Sequence, residues 1–186
     1  MTEVWDRWGT VLTATAVAVP VVVALVWALA RRRIRDGADA RTAWRRSAAE
    51  VCAVAGTLPW LWMVLTPRPA ASTVNLVPLS DLAALFTAAP TTIVVQLGGN
   101  LLVFAALGFC LPIRFAIPVA AVALVGAAGA TAIEVLQYLF DIGRVSSVDD
   151  VLVNTLGAVL AALLSRPWWV ARTWAARTQP RRIPVG

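Results

Sequence analysis

At 186 residues and 60% hydrophobic, with a mean hydropathy of +0.77, the chain holds one domain's worth of material and is too apolar for an ordinary soluble fold. The net charge of +6 comes from 16 arginines and no lysine, set in blocks beside apolar runs where they face headgroups and fix topology; with no motif of the nucleic-acid repertoire, nucleic acid is excluded as a partner. There is no His, Cys52 and Cys110 stand alone without a CxxC spacing, and no cofactor or metal pattern is present.

The first element is Thr10 to Ala30, 21 residues without a charge. A hydrocarbon core about 30 Å thick needs roughly 20 residues at about 1.5 Å each, so this run spans. Arg31, Arg32, Arg33 and Arg35 follow the run instead of preceding it, which separates it from a signal peptide. A second span is expected from Ala48 to Thr66, with Glu50 at its edge, a kink at Pro59, and Trp60 and Trp62 near the far interface. Pro67 to Thr91 is a proline-punctuated connection. Within it Ser80 is the expected cap of a short apolar turn, Asp81 to Ala88, lying in or dipping into the interface. The third span is Thr92 to Leu111, and the fourth runs from Pro118, a good first-turn residue, to Phe140. Val148 to Ser165 is the fifth. The tail, with Trp168, Trp169 and Trp174 among arginines, reads as a surface-lying helix.

Arginine counts orient this all-α bundle of five spans. Thirteen fall in the segment after span one, the turn before span four and the tail, against Arg7, Arg68 and Arg144 on the other side. The positive-inside rule then places the N-terminus outside and the C-terminus in the cytoplasm of a plasma-membrane protein. Three sections follow: 1–66 with two spans, 67–165 with three, and a basic tail, 166–186. Both cysteines fall near cytoplasmic helix ends, where a structural disulfide is not expected.

Polar side chains inside spans are costly, and here they recur at helical spacing. Gln96 and Asn100 share a face of span three, Glu134 and Gln137 a face of span four, and Asp150 and Asn154 a face of span five. Glu134 lies six residues before the outer end of its helix, and Asn154 six residues after the outer start of the next. Both are therefore about 9 Å deep on antiparallel neighbours. One polar pocket opening outward is expected, with Arg144 over its mouth. A plainer reading stands beside it. Ser147, Asp149 and Asp150 look like a capping hydroxyl followed by first-turn carboxylates, and Asn100, Asn154 and Gln96 serve equally well as interhelical glue. Glu134 either pairs with Arg144, stays protonated or serves a ligand. Gly126, Gly129, Ala130, Gly157 and Ala161 read as close-packing residues.

At these residues the chain resembles the VanZ-like family of bacterial membrane proteins, over roughly Asn75 to Leu164. Asn75-Leu76-Val77-Pro78-Leu79 is similar to the family's Asn-Leu-(apolar)-Pro-Phe segment. Gly99-Asn100-Leu101-Leu102-Val103-Phe104, then Leu107-Gly108-Phe109 and Pro112, follow its Gly-Asn run, with Ala106 where that run usually has the proline of a helix kink. Glu134-x-x-Gln137, Gly143-Arg144 and Asp149-Asp150-x-x-x-Asn154-x-x-Gly157 complete the pattern in order and spacing. The resemblance implies a membrane protein of a family named for low-level resistance to teicoplanin, and it marks Asn75, Asn100, Glu134, Gln137, Arg144, Asp149, Asp150 and Asn154 as the motif residues.

Three classes of function remain. The first is a non-enzymatic protein that engages envelope lipid or a lipid-linked cell-wall precursor and lowers the access of an antibiotic acting from outside. The second is a membrane enzyme on such a lipid, with Glu134 or Asp150 as acid or base and Arg144 holding phosphate; no nucleophile motif backs it. The third is a small transporter, against which the lack of repeat symmetry speaks unless the chain forms a homo-oligomer. The expected ligand is a membrane lipid, with an anionic headgroup held at the outer leaflet by the Arg144 fork and the N-terminus of span five.

Overall fold

The computed structural model describes residues 2–169, with side chains from Trp8 onward. The expected tail helix with Trp174 lies outside the described residues. Seven helices occupy the described chain: α1 (Thr2–Arg35), α2 (Ala40–Leu65), α3 (Ser80–Leu85), α4 (Pro90–Val103), α5 (Ala105–Phe115), α6 (Val119–Leu139) and α7 (Val148–Leu164). Two three-residue strands, β1 (Thr73–Asn75) and β2 (Val145–Ser147), pair in parallel. The all-α expectation holds apart from this ribbon.

α1, α2, α4 with α5, α6 and α7 are the five long helical passes of the bundle. At one end Glu50 of α2 meets Arg33 of α1, with 2.5 Å between their atoms, and Arg114 of α5, while Arg45 of α2 donates to the carbonyl of Trp168 beyond α7. The other end carries α3, both strands and the α6–α7 connection. Four passes are long and apolar enough to cross a membrane: Trp8–Arg35, Ala40–Leu65, Pro90–Phe115 and Val119–Leu139. The fifth, α7, has 17 residues, with Asp149 and Asp150 in its first turn, and rises about 26 Å, short of a hydrocarbon core about 30 Å thick.

Local sequence explains most boundaries. Asp39 caps α2, accepting the N–H of Thr42 at 2.9 Å. That bond favours the charged form and holds the Asp39 carboxyl below its ordinary range. α2 continues without a break through Pro59 to Leu65. Pro118 is the cap of α6, one position before the expected first turn. The third expected span is two helices that part at Phe104, with φ −110° and ψ 11°, although Ala106 stands where a proline kink is usual. The cause is packing. A Cβ on Gly157 would lie 2.0 Å from the Leu101 carbonyl oxygen, and one on Gly108 2.2 Å from that of Ala158. The break falls between these two backbone approaches, so α4 and α5 each lie flush against α7.

Small residues let the passes approach, as expected of Gly126, Gly129, Ala130, Gly157 and Ala161. Ala130, Ala158 and Ala162 join Val103, Phe104, Val122 and Ile133 in the main core. Beyond α7 a 3-10 turn, Arg166–Trp168, follows, and Trp169 departs from the surface expectation. Its ring is buried, and its indole donates to the Ala162 carbonyl at 3.2 Å and the Ser165 hydroxyl at 3.0 Å. Cys52 is exposed on α2 and Cys110 is buried on α5.

Candidate functional site at the polar end

The connection after α2 returns across the bundle end and is fastened to the α6–α7 connection. Thr73, Val74 and Asn75 pair with Val145, Ser146 and Ser147. Gly143, at φ +70°, makes this possible, because a Cβ there would stand 2.0 Å from the Arg68 carbonyl oxygen. This strand contact brings motif residues from distant parts of the chain within hydrogen-bond reach.

Ser147 is the hub. Its N–H donates to Glu134 Oε2 at 2.9 Å, and its hydroxyl donates to Asp81 Oδ2 at 2.5 Å and accepts the N–H of Asp149 at 3.2 Å. The expected capping role of Ser147 on α7 is therefore present. Glu134 is buried, and its carbonyl also accepts from the Ser146 hydroxyl at 3.0 Å. Asp81 Oδ1 takes a second bond from Asn75 Nδ2 at 2.6 Å. Sequence patterning passed over Asp81, since a lone acid in a loop carries no period. Its signal was being the only charge between Pro69 and Thr91.

Asp149 does something the sequence left open. It begins α7, yet its carboxylate sits on the N-terminus of α3, where Oδ1 accepts from Leu79 N at 2.5 Å and Oδ2 from Asp81 N at 2.9 Å and Leu82 N at 3.1 Å. The cap of α3 is thus supplied across space, and the assignment to Ser80 is corrected. Leu79, at φ 66°, is the N-cap position, and the Ser80 hydroxyl instead donates to the Val77 carbonyl at 2.7 Å and accepts from Asn75 at 2.8 Å. A carboxylate suits this end of a helix because three N–H groups and the positive dipole converge there.

Gln137 and Arg144 serve α2. Gln137 donates to the Val64 carbonyl at 3.0 Å, and Arg144 Nη2 to those of Met63 at 2.6 Å and Thr66 at 3.4 Å. These carbonyls belong to the last turn, which has no partners within its own helix. Asn100 of α4 donates to Asp150 Oδ1 at 2.5 Å. Asn154, one turn deeper on α7, is buried with its Oδ1 unbonded.

Between α3, α4 and α7 a small cleft remains. Asp81, Asp149, Asp150, Asn100 and the exposed Gln96 give it polar walls, while Leu82, Leu85, Leu97 and Val153 give it apolar ones. Its volume of about 10 Å³ is near that needed for one water, so a larger group would enter only in part or after α3 shifts. The residues expected to form one pocket lie instead in three groups, a network through Ser147, a cleft beside Asp150 and a clamp on α2, with Arg144 in the clamp and Asn154 in none of them.

A family model described as VanZ/LLP1 matches residues 53–171. Comparison with curated proteins and with solved structures gave no match.

Proposed function

Because the chain belongs to the VanZ/LLP1 family, we propose that it is a membrane protein whose polar end faces outward and engages the headgroup of an envelope lipid or lipid-linked precursor. The observation that carries this reading is the cleft walled by Asp81, Asp149, Asp150 and Asn100 at one end of an otherwise apolar bundle. Ionisable groups at membrane depth are costly and mark functional sites by default. The outward orientation rests on 13 arginines against 3.

The walls favour a headgroup that donates hydrogen bonds, an amine or a hydroxyl, since carboxylates accept them. An anionic headgroup is the competing occupant. Its expected ligand, Arg144, is turned onto the carbonyls of Met63 and Thr66 and would have to leave them. Holding such lipids at the outer leaflet would lower the access of a glycopeptide antibiotic acting from outside.

The test is native mass spectrometry of the whole chain, released from nanodiscs of phosphatidylethanolamine or of phosphatidylglycerol. The amine lipid is expected to stay bound, with at least tenfold weaker retention in Asp150→Asn. Preference for phosphatidylglycerol, lost in Arg144→Gln, would transfer the site to the anion reading. Equal retention in every variant overturns lipid engagement at this end.

A further inference from the structure

We propose that the segment Leu76–Phe86 is seated in the outer leaflet, so that the cleft opens sideways into lipid and a headgroup reaches it from within the membrane plane. This rests on the orientation proposed above and specifies the route of access.

Two independent observations point to lipid as what covers this segment. The first is its outward face. Leu76 is 71% exposed, Val77 63%, Leu79 60% and Phe86 67%, four large apolar side chains left uncovered on an 11-residue connection outside every span. An isolated exposed leucine means little, but four large apolar side chains uncovered within one short connecting segment mark an interaction surface.

The second is what the segment does with its polar groups. Between Asn75 and Ala89 the hydrogen-bonding side chains are Asn75, Ser80, Asp81 and Thr87. All four close on the protein: Asn75 on Ser80 and Asp81, Ser80 on the Val77 carbonyl, Asp81 also on Ser147, and Thr87 on the Ala84 carbonyl at 2.7 Å. The backbone follows suit. The N–H of Val77 goes to Asn75 Oδ1, and those of Leu79, Asp81 and Leu82 to Asp149. Ser80 and Ala83 give theirs to the carbonyls of Val77 and Leu79. A short helix in water leaves its first N–H groups to solvent at little cost, whereas in a bilayer each unsatisfied group costs several kcal/mol. A buried carboxylate committed to three of these donors is what a membrane setting requires and an aqueous one does not.

The consequence for the cleft is geometric. Leu82 and Leu85, on the inner side of α3, form one of its walls, so a seated α3 places the opening between α3 and α4 at headgroup level. Exposed Gln96, with Val94 and Val95 beside it at 71% and 66% exposure, then marks where a lipid enters.

Spin labels at Leu76→Cys, Leu79→Cys and Phe86→Cys test this in the full chain, in nanodiscs, on a Cys52→Ser, Cys110→Ala background. The three side chains are exposed, so labelling leaves packing intact. Collisions with oxygen, which partitions into lipid, are expected to exceed those with a neutral water-soluble nickel chelate at all three positions, by about threefold or more. Ser72→Cys, in the connection before β1, is expected to show the reverse. Higher nickel than oxygen accessibility at Leu76, Leu79 and Phe86 overturns the inference. Should the background variant fail to fold, backbone hydrogen exchange of the native chain in nanodiscs and in detergent replaces it: slow exchange from Val77 to Ala88 only with lipid present supports seating, and equal exchange in both opposes it. The two readings fail separately. A seated segment with no retained lipid sinks the headgroup function alone, and retained lipid sensitive to Asp150→Asn with a water-exposed segment sinks this inference alone.

Discussion

Asp149 shows how a single side chain can link two regions 70 residues apart, since bonds from Leu79, Asp81 and Leu82 converge on its two oxygens. Bonds to a charged acceptor are the stronger kind, and removing the acceptor strands several buried donors. Asp149→Ala is expected to lower stability by about 4 kcal/mol and Asp149→Asn by about 2 kcal/mol, since Asn keeps one accepting oxygen. Thermal unfolding in detergent measures the loss, and faster amide exchange confined to α3 and its entry locates it. Asp39 offers a pH-dependent counterpart at the other end of the bundle. Its carboxyl is held below the ordinary range by the Thr42 N–H, so the cap is in place above the unfolded carboxylate pKa and is lost as pH falls through the lower folded value. Amide exchange at Thr42 should therefore accelerate only in strong acid in the native chain, and be pH-independent beyond the intrinsic rate in Asp39→Ala.

Helix contacts at the scale of elements are set by backbone approach more than by apolar burial, because lipid is as apolar as leucine. α7 lies against Leu101 at Gly157 and presents its own Ala158 carbonyl to Gly108. Gly157→Ala is expected to destabilise the bundle by about 3 kcal/mol, since the new methyl meets backbone that has no room to yield. Gly98→Ala, whose methyl meets nothing within 4 Å, is expected to be neutral or to stabilise by up to about 1 kcal/mol through helix propensity. Denaturation of both variants in the same detergent compares them directly. Glu50 is the electrostatic counterpart, holding Arg33 of α1 and Arg114 of α5 at once. It links α1, which packs chiefly on α2, through α2 to Arg114 of α5.

The whole molecule has two chemically opposite ends, one with arginines and the Glu50 ion pairs, the other with Glu134, Asp81, Asp149 and Asp150. Arginines resist translocation, which sets the direction in which such a bundle inserts. Thiol labelling of intact cells in a background without Cys52 and Cys110 should modify Ser72→Cys and spare Thr42→Cys. Modification of Thr42→Cys alone would invert the molecule and move the proposed cleft to the cytoplasm.

The sequence by itself determined the all-α class and the approximate limits of the long helices, because span length and helical period are local properties that apolar runs and spacing express directly. Its spacing put Asn100 and Asp150 on facing helices, and these two are bonded. Tertiary structure decided the partners. Asp149 is a first-turn residue of its own helix, as read, but the structure also gives it the N–H groups of α3, and it gives Arg144 the carbonyls at the end of α2. The break at Phe104 was likewise absent from the local sequence, which has no proline there. The first two outcomes depend on which backbone groups are left unsatisfied once the helices pack, the break on how closely their backbones approach, and residues far apart in the chain supply both answers.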